Sequence, residues 1–340
     1  MNDKVTGQPG NDLHHEKNPE RNFDKEEAGH KAGGRRHFLA TAAVAAVGII
    51  TARTLRASER FAYHQHPSNR TPEHRYLIGV CDWMMLKRQK LGAFPLAKAI
   101  GVNGVEVDMG GLGNRKTFDD KLVDPAVRQA FLDKAASVNL QICSVAMSAF
   151  YAQSFSERDG VVEMVKGSVD IMKAMGVKVA FLPLGIRDDL VKYPEKRPAV
   201  IRRLKTVGAY AATTGVVIGI ETSLDAAGEV KLLEEIASPG VQSYFNIENP
   251  LQAGRDLSEE LKILGRQRIC QIHCTDKDGV WLQNDPLVNM KKMKKALDDM
   301  GWKGWLVMER SRDAKDPRNV KWNYGANAAY LKKIFQSNEA

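Results

Sequence analysis

The sequence predicts an α/β protein folded as a single (β/α)8 barrel, and three observations lead to this prediction. From Tyr76 onward, short β-rich runs alternate with segments whose apolar residues recur near every third or fourth position. Eight such repeats fill roughly 260 residues, which is the usual size of this barrel. The first run continues as Val80–Met84 (VCDWM) and has no glycine-rich phosphate loop, so an open doubly wound sheet is the less favoured alternative.

The predicted elements follow in chain order, and a turn glycine precedes several strands, as at Gly176 and Gly215. One helix is predicted at Val161–Met175, and the last at Asn327–Phe335. The segment Met109–Gly113 (MGGLG) is expected to be a flexible loop at the barrel mouth. The predicted strands are Tyr76–Cys81, Gly104–Asp108, Leu140–Ala146, Val177–Leu182, Val216–Glu221, Gln242–Ile247, Ile269–His273 and Trp305–Glu309.

The composition of the 340 residues predicts a globular protein with an ample core. Hydrophobic residues make up 43% and charged residues 27%, which excludes a disordered, collagen-like or coiled-coil chain. The net charge of +9 is dispersed along the chain, so we expect no nucleic-acid partner. The four cysteines lack CxxC spacing and do not predict a disulfide framework.

Residues 1–57 are predicted to be a disordered segment followed by a twin-arginine export signal. Gly34–Ala40 (GRRHFLA) precedes an apolar stretch that is too short to span a bilayer, because a spanning helix needs about 20 residues. We therefore expect the twin-arginine machinery as a partner, a periplasmic or otherwise exported mature protein and no stable membrane span. Residues 58–75 are predicted to be a linker, and residues 76–340 the barrel. The alternative is a buried N-terminal helix after a chance arginine pair.

Polar side chains are predicted at the carboxyl ends of the strands, where barrels of this kind build their active sites. His273 is distinctive among them, because the other seven histidines all precede Tyr76. The series Glu221, Asn246, His273 and Glu309 has intervals of 25, 27 and 36 residues, each matching one β/α repeat. A lone histidine in an apolar run is ordinarily a core residue, but in this series we interpret it as a metal ligand or a general base.

This set of residue types indicates a divalent-metal site. Two carboxylates, one imidazole and one amide oxygen suit Mn²⁺, Mg²⁺, Co²⁺ or Fe²⁺ and can also accept Zn²⁺. We expect Mn²⁺. Such an ion would act as a Lewis acid on a ketone and its neighbouring hydroxyl and so stabilise an enediolate. Glu221 and Glu309 would then take a proton from one carbon and return it to another position or face.

Four stretches at the strand ends resemble the xylose isomerase-like barrel family of sugar phosphate isomerases and epimerases. They are Gly219–Thr222 (GIET), Tyr244–Pro250 (YFNIENP), Gln271–Asp276 (QIHCTD) and Leu306–Glu309 (LVME). The resemblance implies metal ligands at Glu221, Asn246, His273 and Glu309, with the two glutamates also acting as the proton-transfer pair. It places a polar substrate-binding residue at Asn249 and the family's second-strand glutamate at Glu106. The predicted substrate-binding set is Glu106, Trp83, Glu248, Asn249 and Asp276.

Two departures from the family pattern affect these expectations. The strand-six aspartate of the family is Asn246 here, and the usual glycine two residues later is Glu248. Strand periodicity places residues 246 and 248 on one face, so Glu248 is a candidate to restore the missing carboxylate. Thr275 replaces the lysine of the family's His-x-Lys-Asp motif, which argues against a strongly phosphate-selective pocket.

The leading hypothesis is a metal-dependent isomerase or epimerase of a ketose or keto-glycoside. One alternative is a dehydratase or lyase of keto-glycosides that uses the same enolate, and another is a non-catalytic sugar-binding barrel. The DNA-cutting branch of the family uses several more histidine and aspartate ligands, which disfavours it here. Homo-oligomerisation is left open. The aromatic residues Trp83, Phe150, Tyr151 and Trp281 are candidates to stack on sugar rings at the mouth, although ordinary packing is an equally good interpretation.

Overall fold

The computed structural model of the protein describes residues 74–337, and these form the predicted (β/α)8 barrel. Eight parallel strands pair in chain order, and β8 pairs with β1 to close the sheet. The twin-arginine motif and nearly all of the predicted linker lie outside the described residues. Within these residues, no helix is long and apolar enough to cross a membrane.

The eight strands lie within about two residues of their predicted bounds. Glu221, Asn246 and His273 are the last residues of β5, β6 and β7, and Glu309 is the first residue after β8. All four therefore stand at one rim of the barrel, as parallel pairing requires. The strands are β1 (Tyr76–Cys81), β2 (Gly104–Asp108), β3 (Gln141–Ala146), β4 (Val179–Pro183), β5 (Val217–Glu221), β6 (Val241–Asn246), β7 (Ile269–His273) and β8 (Gly304–Met308).

Helices surround the barrel and bury their apolar faces against the strands. The helix predicted at Val161–Met175 has those bounds, and Gly176 ends it in the left-handed conformation. The last helix begins at Val320, earlier than predicted, because the Asn319 side chain caps its first turn. The helices are α1 (Ala93–Ile100), α2 (Pro125–Ser137), α3 (Val161–Met175), α4 (Arg197–Thr214), α5 (Ala226–Ile236), α6 (Glu248–Gln252), α7 (Leu257–Leu264), α8 (Met290–Asp299) and α9 (Val320–Phe335).

A glycine in β5 makes room for a tyrosine inside the barrel. A Cβ atom at Gly219 would lie 2.9 Å from the Cβ of Tyr244 and 2.7 Å from the Sγ of Cys270. Both distances are shorter than real side chains allow, so only glycine fits at this position. Tyr244 consequently lies fully buried within the barrel, where its hydroxyl reaches Glu106.

Candidate active site at the barrel mouth

Three of the four predicted ligands come together at the mouth. His273 Nδ1 lies 3.3 Å from Glu221 Oε2 and 3.6 Å from Glu309 Oε2. These three donor atoms lie within 4.8 Å of one another, and all three side chains are buried. β5 and β8 are separated by β6 and β7, so the two carboxylates approach the imidazole from different parts of the rim. This arrangement can hold a divalent cation with two oxygen ligands and one nitrogen ligand.

Asn246 presents a hydrogen-bond donor to this group. Its Nδ2 donates to Glu221 Oε2 over 3.1 Å, and its Oδ1 accepts the backbone N–H of Glu248 over 3.0 Å. The amide oxygen is therefore already bonded to the start of α6. Asn246 lies beside the three-ligand group, and its position is maintained by both contacts.

The expectation that residues 246 and 248 share a strand face is wrong. β6 ends at Asn246, the chain adopts the helical conformation at Ile247, and Glu248 is the first residue of α6. The Glu248 carboxylate lies 3.6 Å from Arg310 Nε. Burial raises the pKa of Glu248, and the positive charge of Arg310 opposes this shift. Glu248 is not one of the three clustered ligands, so it does not replace the missing carboxylate in this geometry.

Glu106 lies under the imidazole of His273 and is fully buried. His273 Nε2 is 3.0 Å from Glu106 Oε1, and Cys81 Sγ donates to the same oxygen over 3.3 Å. Glu106 Oε2 accepts hydrogen bonds from Ser144 Oγ over 2.6 Å and from Tyr244 OH over 2.8 Å. Glu106 is therefore positioned to orient His273. Because it is fully buried, it is not placed for the substrate contact that the sequence predicted.

The charges on the two sides of the imidazole shift several pKa values. Burial disfavours ionisation of Glu106, but the charge and hydrogen bond of His273 and its other donors lower its pKa overall. Burial also disfavours the charged form of His273, yet Glu309, Glu106 and Glu221 together raise its pKa to about 10. The pKa of Glu309 is raised to about 7 by burial and by Glu221, although His273 opposes the shift. Negative charge thus exceeds positive charge around Nδ1.

A second set of ligand types, Cys81, Glu106 and His273, lies on the Nε2 side of the same imidazole. Cys81 Sγ is 3.8 Å from His273 Nε2, and burial raises the pKa of the thiol well above its ordinary value. Both carboxylate oxygens of Glu106 already accept hydrogen bonds, from Cys81, Ser144 and Tyr244, and are not available to an ion. The Nδ1 side is therefore the candidate metal position.

Tyr151 reaches both glutamates, which the sequence analysis did not foresee. Its hydroxyl lies 3.2 Å from Glu309 Oε1 and 3.5 Å from each carboxylate oxygen of Glu221. Tyr151 stands in a short 3-10 turn that follows β3, a strand whose end carries no ionisable residue. The only sequence signal was its aromatic character near a strand end.

The other predicted contacts are distributed around the rim. Trp83 packs parallel to Phe181, with ring centroids 6.4 Å apart, and lines the mouth. Asn249 Nδ2 donates to the backbone oxygen of Thr222 over 2.9 Å. Asp276 is buried and accepts hydrogen bonds from Gln252 Nε2.

Two of the aromatic residues considered for sugar stacking serve packing roles. Phe150 is fully buried and makes edge contacts with Phe118 and Phe155. Trp281 donates to Asn323 Oδ1 over 2.7 Å and packs edge-on against Trp322. Neither lines the mouth cavity, which has a volume of about 530 Å³.

The fold and this site define a class of sugar isomerase/epimerase-like barrels. The sequence profile of the xylose isomerase-like TIM barrel family matches residues 94–334, and the chain belongs to this family. It is 25% identical over 190 residues to the 2-epi-5-epi-valiolone 7-phosphate 2-epimerase of Actinoplanes sp., a match that covers 54% of this chain and 68% of that protein.

Two solved structures share the fold. The 3-keto-D-glucoside 4-epimerase of E. coli superposes with a TM-score of 0.60 and 16% identity, over 76% of this chain and 99% of that one. The D-allulose 3-epimerase of Methylomonas sp., in complex with D-allulose, superposes with a TM-score of 0.56 and 14% identity, over 77% and 98% of the two chains.

Proposed function

We propose that the protein is a divalent-metal-dependent epimerase or isomerase that moves a proton at the carbon next to the carbonyl of a ketose or keto-sugar. The observation that carries this proposal is the pair of carboxylates, Glu221 and Glu309, on either side of His273 Nδ1. Two carboxylates that approach from different parts of a rim can serve two faces of one substrate carbon. This is the arrangement that epimerisation through an enolate requires.

The reactions named for the similar proteins support the same chemistry. D-allulose is a 2-ketose, and a 3-epimerase of it acts on the carbon beside the carbonyl. A 4-epimerase of a 3-keto-D-glucoside likewise acts on a carbon beside the carbonyl. A proton on such a carbon is acidic enough for a carboxylate to remove when the carbonyl oxygen is stabilised.

The residues present fit a divalent cation. Glu221, His273 and Glu309 would hold it, because their donor atoms lie within 4.8 Å of one another and the two buried carboxylates supply negative charge that a cation would neutralise. Mn²⁺ is the ion we expect, with Mg²⁺, Co²⁺, Fe²⁺ or Zn²⁺ as alternatives for this donor set. When bound, such an ion polarises the substrate carbonyl.

Glu221 and Glu309 then carry out different parts of the proton transfer. Glu221 accepts a hydrogen bond from Asn246 Nδ2, which suits a carboxylate that acts as the base. Glu309 approaches His273 Nδ1 from another part of the rim, which suits the group that returns a proton to the opposite face of the carbon. The Tyr151 hydroxyl, 3.2 Å from Glu309 Oε1, holds that carboxylate in place.

Solvent deuterium exchange tests this proposal. Protein supplied with Mn²⁺ is incubated in D2O with D-allulose or with a methyl 3-keto-glucoside, and mass spectrometry follows deuterium entering the substrate. Glu221→Gln and Glu309→Gln should each reduce exchange by at least a hundredfold. Glu163→Gln, at an exposed position on α3, is the matched control and should exchange normally. Wild-type exchange rates in both active-site variants would refute the assigned roles.

Analysis of the products separates the alternatives. An epimer or isomer supports the proposal, whereas an unsaturated sugar with a released alcohol would identify a lyase. Thermal stabilisation by these sugars without any exchange would identify a non-catalytic binding barrel.

We also propose that the protein is exported by the twin-arginine pathway. The support is the Gly34–Ala40 motif and the short apolar stretch that follows it. A reporter fused to residues 1–57 should reach the periplasm of a suitable bacterial host, and replacing Arg35 and Arg36 together by Lys should retain it in the cytoplasm. Export of the double variant at the wild-type level would contradict this proposal.

A further inference from the structure

We propose that the mouth contains an apolar subsite for the aglycone of a neutral keto-glycoside, formed by Trp83, Met84, Leu112 and Ile186. This inference rests on the proposed epimerase function and specifies its substrate class. The four residues line a cavity of about 530 Å³ that Tyr151 also lines. Pockets of roughly 300–1,000 Å³ bind drug-sized ligands, which are larger than a single sugar ring.

Of the two proposed proton-transfer residues, only Glu309 lines the cavity. Glu309 and Arg310, which follow β8, line it, and the remaining lining residues come from the segments that follow β1, β2, β3 and β4. Glu221 and His273, on β5 and β7, do not line it. A sugar whose reacting carbon lies at Glu309 would therefore extend its substituent over the segments after β1 to β4.

The wall of this cavity is preorganised for an apolar group. The Trp83 ring is held at 12° to the ring of Phe181, which fixes its plane. Leu112 is buried, whereas Ile186 is 53% exposed although it lines the cavity. Covering a half-exposed isoleucine and an indole ring with an aryl or alkyl group removes apolar surface from water and strengthens binding.

The charges in the cavity favour a neutral ligand. Arg88 Nε lies 3.3 Å from the buried carboxylate of Asp108, and Arg310 Nε lies 3.6 Å from Glu248 Oε2. Each arginine therefore already has a carboxylate partner, which leaves little positive charge for a phosphate.

Matched glycosides test the subsite. Exchange of the α-proton is measured with Mn²⁺-supplied protein on methyl and 4-nitrophenyl 3-keto-β-D-glucosides, on free D-allulose and on its 6-phosphate. The 4-nitrophenyl glycoside should have a higher kcat/KM than the methyl glycoside. Ile186→Ser should raise KM for the aryl glycoside by about fivefold, with kcat little changed and the methyl glycoside unaffected. Val191→Ser is the matched control, because Val191 is 62% exposed in the same segment but does not line the cavity.

The outcomes separate this inference from the proposed function. Equal kcat/KM for the two glycosides, an Ile186→Ser effect shared by both, or preference for either form of D-allulose would overturn the aglycone subsite while leaving the epimerase. If no sugar exchanges, the proposed function fails, and calorimetry with 4-nitrophenyl β-D-glucoside then decides on the subsite. Binding that Ile186→Ser weakens and Val191→Ser preserves would support it, and absence of binding would overturn it.

Discussion

The two sides of the His273 ring carry the same kinds of group but differ in how those groups are satisfied. On the Nε2 side, Glu106 has four donors, including Ser144 and Tyr244, and its pKa is lowered. On the Nδ1 side, Glu221 has Asn246, Tyr151 and His273 as donors, whereas Glu309 has a side-chain hydrogen bond from Tyr151 alone among the described residues, and its pKa is raised to about 7. A carboxylate whose oxygens all accept hydrogen bonds has a structural role, whereas a carboxylate with fewer hydrogen-bond donors is available to a cation or a substrate proton.

The largest effect is expected when the imidazole of His273, which contacts the carboxylates on both sides, is removed. His273→Ala deletes one of the three proposed ligands, and we expect Mn²⁺ affinity to fall by more than a hundredfold. The variant also leaves the buried carboxylate of Glu106 without its partner, which we expect to cost about 3–5 kcal/mol of unfolding free energy. Elemental mass spectrometry and chemical denaturation measure these losses. Retention of one ion per chain would show that the ligands lie elsewhere.

A smaller loss is expected when only the Nε2 side is changed. Glu106→Gln keeps the shape of the side chain but places an amide among groups that donate hydrogen bonds, so some of those donors lose their acceptor. We expect about 2–3 kcal/mol lower stability and a 10–100-fold weaker affinity for Mn²⁺, because His273 is no longer held in one orientation. Metal affinity equal to wild type, with the stability loss present, would mean that Glu106 acts on the fold alone. Glu235→Gln, on the exposed surface of α5, is the control.

The unfolding free energy of the metal-free protein should depend on pH through His273 and Glu309. The folded-state pKa of His273, about 10, exceeds its ordinary value of 6.5, so its stabilising contribution is complete below pH 6.5 and is lost as the pH rises to 10. The pKa of Glu309 is raised from 4.5 to about 7, so its contribution is lost as the pH rises over that interval. Both effects lower stability with increasing pH, and we expect a decline of at least 1 kcal/mol between pH 5 and pH 9.

Denaturation in chelator and in Mn²⁺ at each pH measures this decline. A bound cation replaces the protons at these groups, so the decline should be smaller when Mn²⁺ is present. Glu309→Gln should make the decline smaller over the whole range, because it removes one titrating group and also the charge that does most to raise the pKa of His273. Equal slopes in chelator and in Mn²⁺ would contradict a cation at the Nδ1 side.

The placement of the rim residues could be predicted from the sequence, but the identity of their neighbours could not. Parallel strands of a closed barrel end at one rim, so a polar residue at the end of each repeat places Glu221, His273 and Glu309 together. The contacts of Glu106 join residues of β2, β3 and β6, and no local pattern reveals which interior side chains meet. The alternation that favoured Glu248 fails because β6 ends at Asn246 and the backbone is already helical at Ile247.

The mildest change adds the carboxylate that the family carries at the end of strand six. Asn246→Asp should keep one oxygen on the Glu248 N–H and present the other toward Glu221, in place of the amide donor. We expect roughly tenfold tighter Mn²⁺ binding and about 1 kcal/mol lower stability of the metal-free protein, because two carboxylates then repel each other.

Asn249→Asp separates coordination from general charge. It adds the same charge three residues away, where the side chain contacts the backbone of Thr222. If both variants tighten Mn²⁺ binding equally, the gain is electrostatic and position 246 is not a ligand position. If only Asn246→Asp tightens it, the native amide keeps the Nδ1 side one ligand short, and that vacant position is where a substrate oxygen would bind.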